Sequence, residues 1–157
     1  HIDLHTGLGD KGDLHIMIPP TLNKASTVRL NKVFLPKVDK DNYEITPPGA
    51  KGFYEILGDY KNIVARVHPD KEAVIVGFTA EFGTVGRGLI GKLKTVNRLI
   101  LENQGHFGGW GNEKVRKEIQ KDYLELFYPS DNKWREDVLR KGHYLLDTIV
   151  KRFIEAK

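Results

Sequence analysis

Apolar and polar residues alternate from Ile2 to His5, which predicts a short strand running into the glycine-rich loop Gly7-Leu8-Gly9-Asp10-Lys11-Gly12. Leu14 to Ile18 predicts a second strand, stopped by Pro19-Pro20, and Val28 to Leu35 a further extended segment ended by Pro36. From Lys37 to Gly58 periodicity fades around Pro47-Pro48-Gly49, as expected either of a lid or binding loop or of a solvent-exposed connection. Ile63 to Val67 and Ala73 to Phe82 predict strands, and the second, rich in β-branched residues, suits a central position covered on both faces. After Gly83 the period changes to that of a helix. Leu89, Leu93, Val96 and Ile100 share one face, Val115, Ile119, Tyr123 and Leu126 repeat the spacing, and Val138, Leu145, Ile149 and Phe153 mark a long final helix. Gly105, Gly108 and Gly109 separate the first two helices, and Pro129-Ser130-Asp131 the last two, with Ser130 or Asp131 as the N-cap. Strands first and helices last predict a three-layer α/β/α sheet, seen in part.

Composition narrows the chemistry more than the fold. The chain has 157 residues, 39% hydrophobic and 29% charged, enough for one globular domain with its own core. It has no apolar run of the ~20 residues a membrane span needs and no charged leader before an apolar block, so the expectation is a soluble chain with no membrane partner. Cysteine is absent, which excludes disulfides, thiol nucleophiles and thiolate ligands and leaves His, Asp and Glu to hold any metal. Lys and Arg outnumber Asp and Glu by 25 to 21, but the two signs are interspersed, as where Glu118 interrupts Lys114 to Lys121. A solvated helix face accounts for that pattern, and no nucleic-acid partner is expected. The chain opens on His1 with strand alternation already under way, and its single Met is Met17; the expectation is the C-terminal part of a longer domain.

Two residues carry the candidate chemistry. On a strand His1, Asp3 and His5 share a face, while Ile2 and Leu4 point to the other, into the core. That polar row is either a solvated edge with a hydrogen-bonded histidine or a metal ligand at His5, with Asp3 orienting its imidazole. Glu81 ends the Ala73 to Phe82 run, at the strand end where ligands collect in open α/β sheets. It is either an ion-pair partner for a cation such as Arg87 or a general base acting on water.

Taken together, Asp3-Leu4-His5-Thr6-Gly7 and Phe78-Thr79-Ala80-Glu81-Phe82-Gly83-Thr84 resemble the zinc carboxypeptidase superfamily, which includes carboxypeptidase A and the succinylglutamate desuccinylase and aspartoacylase branch. Leu101 to Gly108, Leu126 to Asp131, Trp134 and Val138 to Gly142 are similar to the closing helices of an uncharacterised, mainly bacterial carboxypeptidase-like family, so the resemblance covers most of the chain and is thinnest between Lys24 and Gly58. The resemblance implies the C-terminal portion of that superfamily's mixed sheet, zinc as cofactor with His5 as its third protein ligand, and Glu81 as catalytic base. It further implies pocket-shaping positions at Thr6 and Gly7 and a substrate-closing tyrosine at Tyr54 or Tyr60, though a structural tyrosine fits either position, as core anchoring fits the Trp and Tyr of the helices.

The superfamily's His-x-x-Glu zinc pair does not occur: no histidine here has Glu three residues on. A catalytic zinc site has three protein ligands and a water. The expected partners are therefore a peptide or small acyl-amide substrate and an N-terminal half of the same domain that brings the missing ligands. Without that half the chain is expected to be inactive. The alternative expectation is a non-catalytic binding module that retains the scaffold.

Overall fold

A computed structural model describes residues 1–19, 22, 24–34, 41–46, 63, 67, 76–86 and 88–155. Within them the chain is α/β, with strands β1 (Ile2–Gly7), β2 (Leu14–Met17), β3 (Glu44–Thr46) and β4 (Phe78–Gly83). Its helices are α1 (Lys24–Phe34), α2 (Leu89–Gly108), α3 (Glu113–Leu124) and α4 (Asn132–Glu155). The strands form one mixed sheet in the order β1-β4-β2-β3, in which β4 runs parallel to β1 and antiparallel to β2, and β2 runs parallel to β3. Central placement of the Glu81 strand agrees with its sequence, since all six of its residues are buried.

The even-numbered face of the sheet is apolar. Leu14 and Ile16 of β2 and Phe78, Ala80 and Phe82 of β4 pack into one cluster with Leu30, Val33 and Phe34 of α1 and Trp134 and Leu145 of α4. Phe34 sits at its centre, edge-on to Phe78 at 5.1 Å and to Tyr43 at 5.6 Å between ring centroids, the arrangement aromatic quadrupoles favour.

Three expectations are corrected. The segment expected to be extended from Val28 to Leu35 is helical through Phe34, within α1, because Ser26, Leu30, Val33 and Phe34, spaced four, three and one apart, are the buried set and form a helical stripe. Val28, whose β-branching suggests strand, faces outward at 48% exposure. Ile63 and Val67 are both helical, and a four-residue apolar spacing serves a helix as well as a short strand. Leu4 does not enter the core either; it is 64% exposed, because β1 ends the described sheet beyond the cover of α1 and α4. Residues 73–75 of the long strand expectation, and all but 41–46 of the Lys37 to Gly58 segment, lie outside the described residues.

The helix boundaries follow their signals closely. Asp131 caps α4, its Oδ1 accepting from the Lys133 amide at 2.9 Å, and Asn112 caps α3 by accepting from Val115 at 3.0 Å. Gly105 does not end α2, which continues to Gly108. It is glycine because the Trp110 indole folds back onto it: a Cβ there would lie 2.6 Å from the ring's Cη2. No helix among the described residues is long and apolar enough to cross a membrane.

Candidate active site

Parallel pairing of β1 with β4 sets His5 directly opposite Glu81, so the two side chains emerge side by side on the odd-numbered face of the sheet. His5 Nδ1 lies 3.7 Å from Glu81 Oε2, and Nε2 lies 3.4 Å from Asp3 Oδ1. The imidazole thus spans two carboxylates, one nitrogen addressed to each. Exposure divides them by role: the His5 side chain is 55% exposed, whereas Glu81 and Asp3 are at 7% and 20%. His5 is accessible to a ligand, while the acid beside it is held within the protein.

A carboxylate as buried as Glu81 needs hydrogen-bond donors. One comes from the loop after β1: the Leu8 amide donates to Glu81 Oε1 at 2.8 Å. That loop is fastened to the end of β4 by backbone bonds, Gly12 N–H to the Gly83 carbonyl at 2.9 Å, Gly83 N–H to Asp13 at 2.8 Å and Gly86 N–H to Gly9 at 3.0 Å. Helix α4 reinforces it, as the buried Trp134 Nε1 also donates to the Gly83 carbonyl at 2.8 Å and the Lys141 ammonium to the Gly12 carbonyl at 2.7 Å. So close is the approach that a Cβ at Gly83 would fall 2.6 Å from the Gly9 carbonyl carbon and nearer still to the Asp10 oxygen. Gly83, given no role in the sequence reading, lets loop and strand meet.

His5 and Glu81 open onto a cleft of about 730 Å³ between the end of β1 and helix α2. Leu4, Leu8, Val85, Val96, Leu99 and Phe127 make most of its described wall apolar, and Lys92 adds a cation. Thr6 and Gly7 line it as well, but the Thr6 hydroxyl donates to the Phe127 carbonyl at 2.6 Å, so its first role here is to anchor the segment after α3. Thr84 anchors the same segment, its hydroxyl lying 2.6 Å from the Leu126 carbonyl and 2.9 Å from that of Gly7, with one proton between the two acceptors. Tyr54, Tyr60 and Arg87 lie outside the described residues.

Sequence reasoning passed over the neighbours of Glu81 on its other side. At the same register as His5 and Glu81 stand His15 of β2 and Glu44 of β3, making a row of alternating imidazole and carboxylate across the sheet. His15 is fully buried, with Nδ1 3.1 Å from Thr46 Oγ1 and 3.6 Å from Glu44 Oε2. A histidine flanked by Leu14 and Ile16 was the available signal, since strand parity turns it away from the apolar face.

As a donor set for zinc, these side chains fit one ligand position. His5 brings an exposed imidazole to the cleft with Nε2 facing Asp3, the arrangement that orients a metal-binding imidazole, and Nδ1 facing Glu81. No group of three or more His, Asp or Glu able to hold a metal ion occurs among the described residues. The fold and site define an α/β protein with an accessible imidazole and a buried carboxylate paired at the mouth of an apolar cleft. The chain belongs to the family described as protein of unknown function (DUF2817), whose model matches residues 1–141. No curated protein and no solved structure matches it significantly.

Proposed function

We propose that this chain supplies part of the active site of a zinc-dependent, carboxypeptidase-like amidohydrolase with the three-layer sheet of that superfamily, acting on a peptide or small acyl amide. The observation that carries the reading is the convergence of His5 and Glu81 from separate strands, at 3.7 Å, on one cleft. When bound, the zinc lowers the pKa of a water and polarises the scissile carbonyl. His5 is one ligand, oriented by Asp3, and the remaining ligands come from the upstream half of the same domain. Glu81 takes the proton of the attacking water and delivers it to the leaving amine; the Leu8 N–H holds one carboxylate oxygen in place and leaves the other toward His5 and the cleft. Apolar walls admit a hydrophobic side chain or acyl group and exclude bulk water.

The incomplete ligand set among the described residues favours a second reading, a binding module on the same scaffold. One experiment separates them: zinc content and amidase activity of the full-length protein beside its Glu81→Gln variant. The enzyme reading expects stoichiometric zinc in both and a loss of kcat of about 10²–10⁴-fold in the variant. Undiminished hydrolysis by the variant rejects Glu81 as base, and a full-length protein that neither retains zinc nor hydrolyses amides is a binding module.

A further inference from the structure

Glu81 receives the Leu8 N–H only if the loop from Leu8 to Asp13 lies at one height over the sheet, and something beneath must set that height. The His15 ring is in that place. Its Nδ1 edge is held by the Thr46 hydroxyl at 3.1 Å and faces the Glu44 carboxylate at 3.6 Å. The opposite edge, Nε2 and Cδ2, faces Gly9, where a Cβ would lie 2.8 Å from both atoms. Gly9 has φ +108, a conformation side chains rarely adopt, and its carbonyl accepts from Gly86. The residue immediately before it, Leu8, carries the N–H that donates to Glu81 at 2.8 Å.

We infer that His15 is a positioning residue for Glu81: its buried imidazole is the surface on which Gly9 rests, and through Gly9 it aims the Leu8 N–H at the carboxylate. This rests on the reading of Glu81 as the base. A smaller or unanchored side chain lets the loop settle, the Leu8 bond lengthens, and the carboxylate turns from the angle at which it meets water. Misplacement of a reacting group by about 1 Å is enough to slow turnover ~10²-fold. Glutamine keeps a polar surface beneath Gly9, because its side-chain amide reaches the place of Nε2, whereas leucine stops short of it and loses the polarity.

The test uses the full-length protein, with hydrogen exchange of the Leu8 amide and steady-state kinetics read on the same samples. His15→Leu is expected to raise Leu8 exchange at least tenfold and lower kcat by about 10–100-fold with KM and zinc content unchanged, and His15→Gln to recover much of both. Thr46→Val, which frees the Nδ1 edge and leaves the ring in place, is expected to raise Leu8 exchange as well, and it carries the test if His15→Leu does not fold. Unchanged Leu8 exchange in Thr46→Val, or equal defects in the glutamine and leucine variants, overturns the inference. Leu8 exchange is read without substrate, so a full-length protein whose activity survives Glu81→Gln defeats the catalytic reading and leaves the positioning result to stand or fall separately.

Discussion

Replacing Gly83 by Ala adds a single methyl group at the point where the Gly9–Asp10 backbone crosses the end of β4. That methyl carbon would lie 2.6 and 2.7 Å from the carbonyl carbons of Gly9 and Asp10. Carbon atoms pack at about 3.5–4.0 Å, so the loop has to withdraw by about 1 Å. Backbone meets the methyl there, and no flexible side-chain tip can swing aside. Withdrawal strains the Gly12 to Gly83 and Gly83 to Asp13 hydrogen bonds, each worth ~1 kcal/mol, and overpacking adds ~1–3 kcal/mol. Against this, Ala at a strand position gains ~0.5–1 kcal/mol over Gly through lower chain entropy. The expected net loss is about 2–4 kcal/mol, a large share of the ~5–15 kcal/mol a native protein has. Equilibrium urea unfolding of the full-length protein measures it, and the Leu8 amide should lose protection in parallel. A variant as stable as the parent, or more stable, refutes the claim that close approach at Gly83 builds the site.

Other expectations follow from the same contacts. Trp134→Phe removes a buried N–H donor from the Gly83 carbonyl, which keeps its bond from Gly12; urea unfolding should show a loss of ~1–2 kcal/mol. Phe34→Ala empties the centre of the aromatic cluster, where the ring is fully buried, and should lose ~3–5 kcal/mol by the same assay. The hydrogen bond from Lys11 holds the Asp131 carboxyl below the ordinary aspartate range, and the hydroxyl and amide of Ser130 hold Glu125 below that of glutamate. Because both folded values are depressed, their stabilisation is complete above the ordinary carboxylate range and is lost as pH falls through the lowered values. Carbon-13 titration should therefore move the Asp131 midpoint upward in Lys11→Ala and leave Glu125 nearly in place.

Where a helix carries its own punctuation, local sequence was sufficient. The apolar stripes of α2, α3 and α4, the Pro129 break and the Asp131 cap are decided by residues within a turn or two of one another, and the folded chain keeps them. Strand parity placed Asp3 and His5 together for the same reason, and β4 declared its central place by being apolar on both sides of Glu81. Short segments were less legible. Helix α1 and the backbone at Ile63 and Val67 carry β-branched residues that fit either state, and burial against α4 or the sheet, which no window of a few residues contains, makes the choice in α1.

What the chain by itself determined was a set of side chains and their faces: an imidazole two residues from an aspartate, a glutamate at the end of a buried strand, glycines around both. Tertiary structure decided that these meet. Register between β1 and β4 is a long-range pairing that brings His5 to Glu81, and the Leu8 donor and the Gly83 crossing depend on a loop folding back over a strand distant in sequence. Local propensity acts over a few residues, whereas the pairing of His5 with Glu81 is made of contacts between residues dozens apart, whose geometry only packing and hydrogen bonding across the sheet can set.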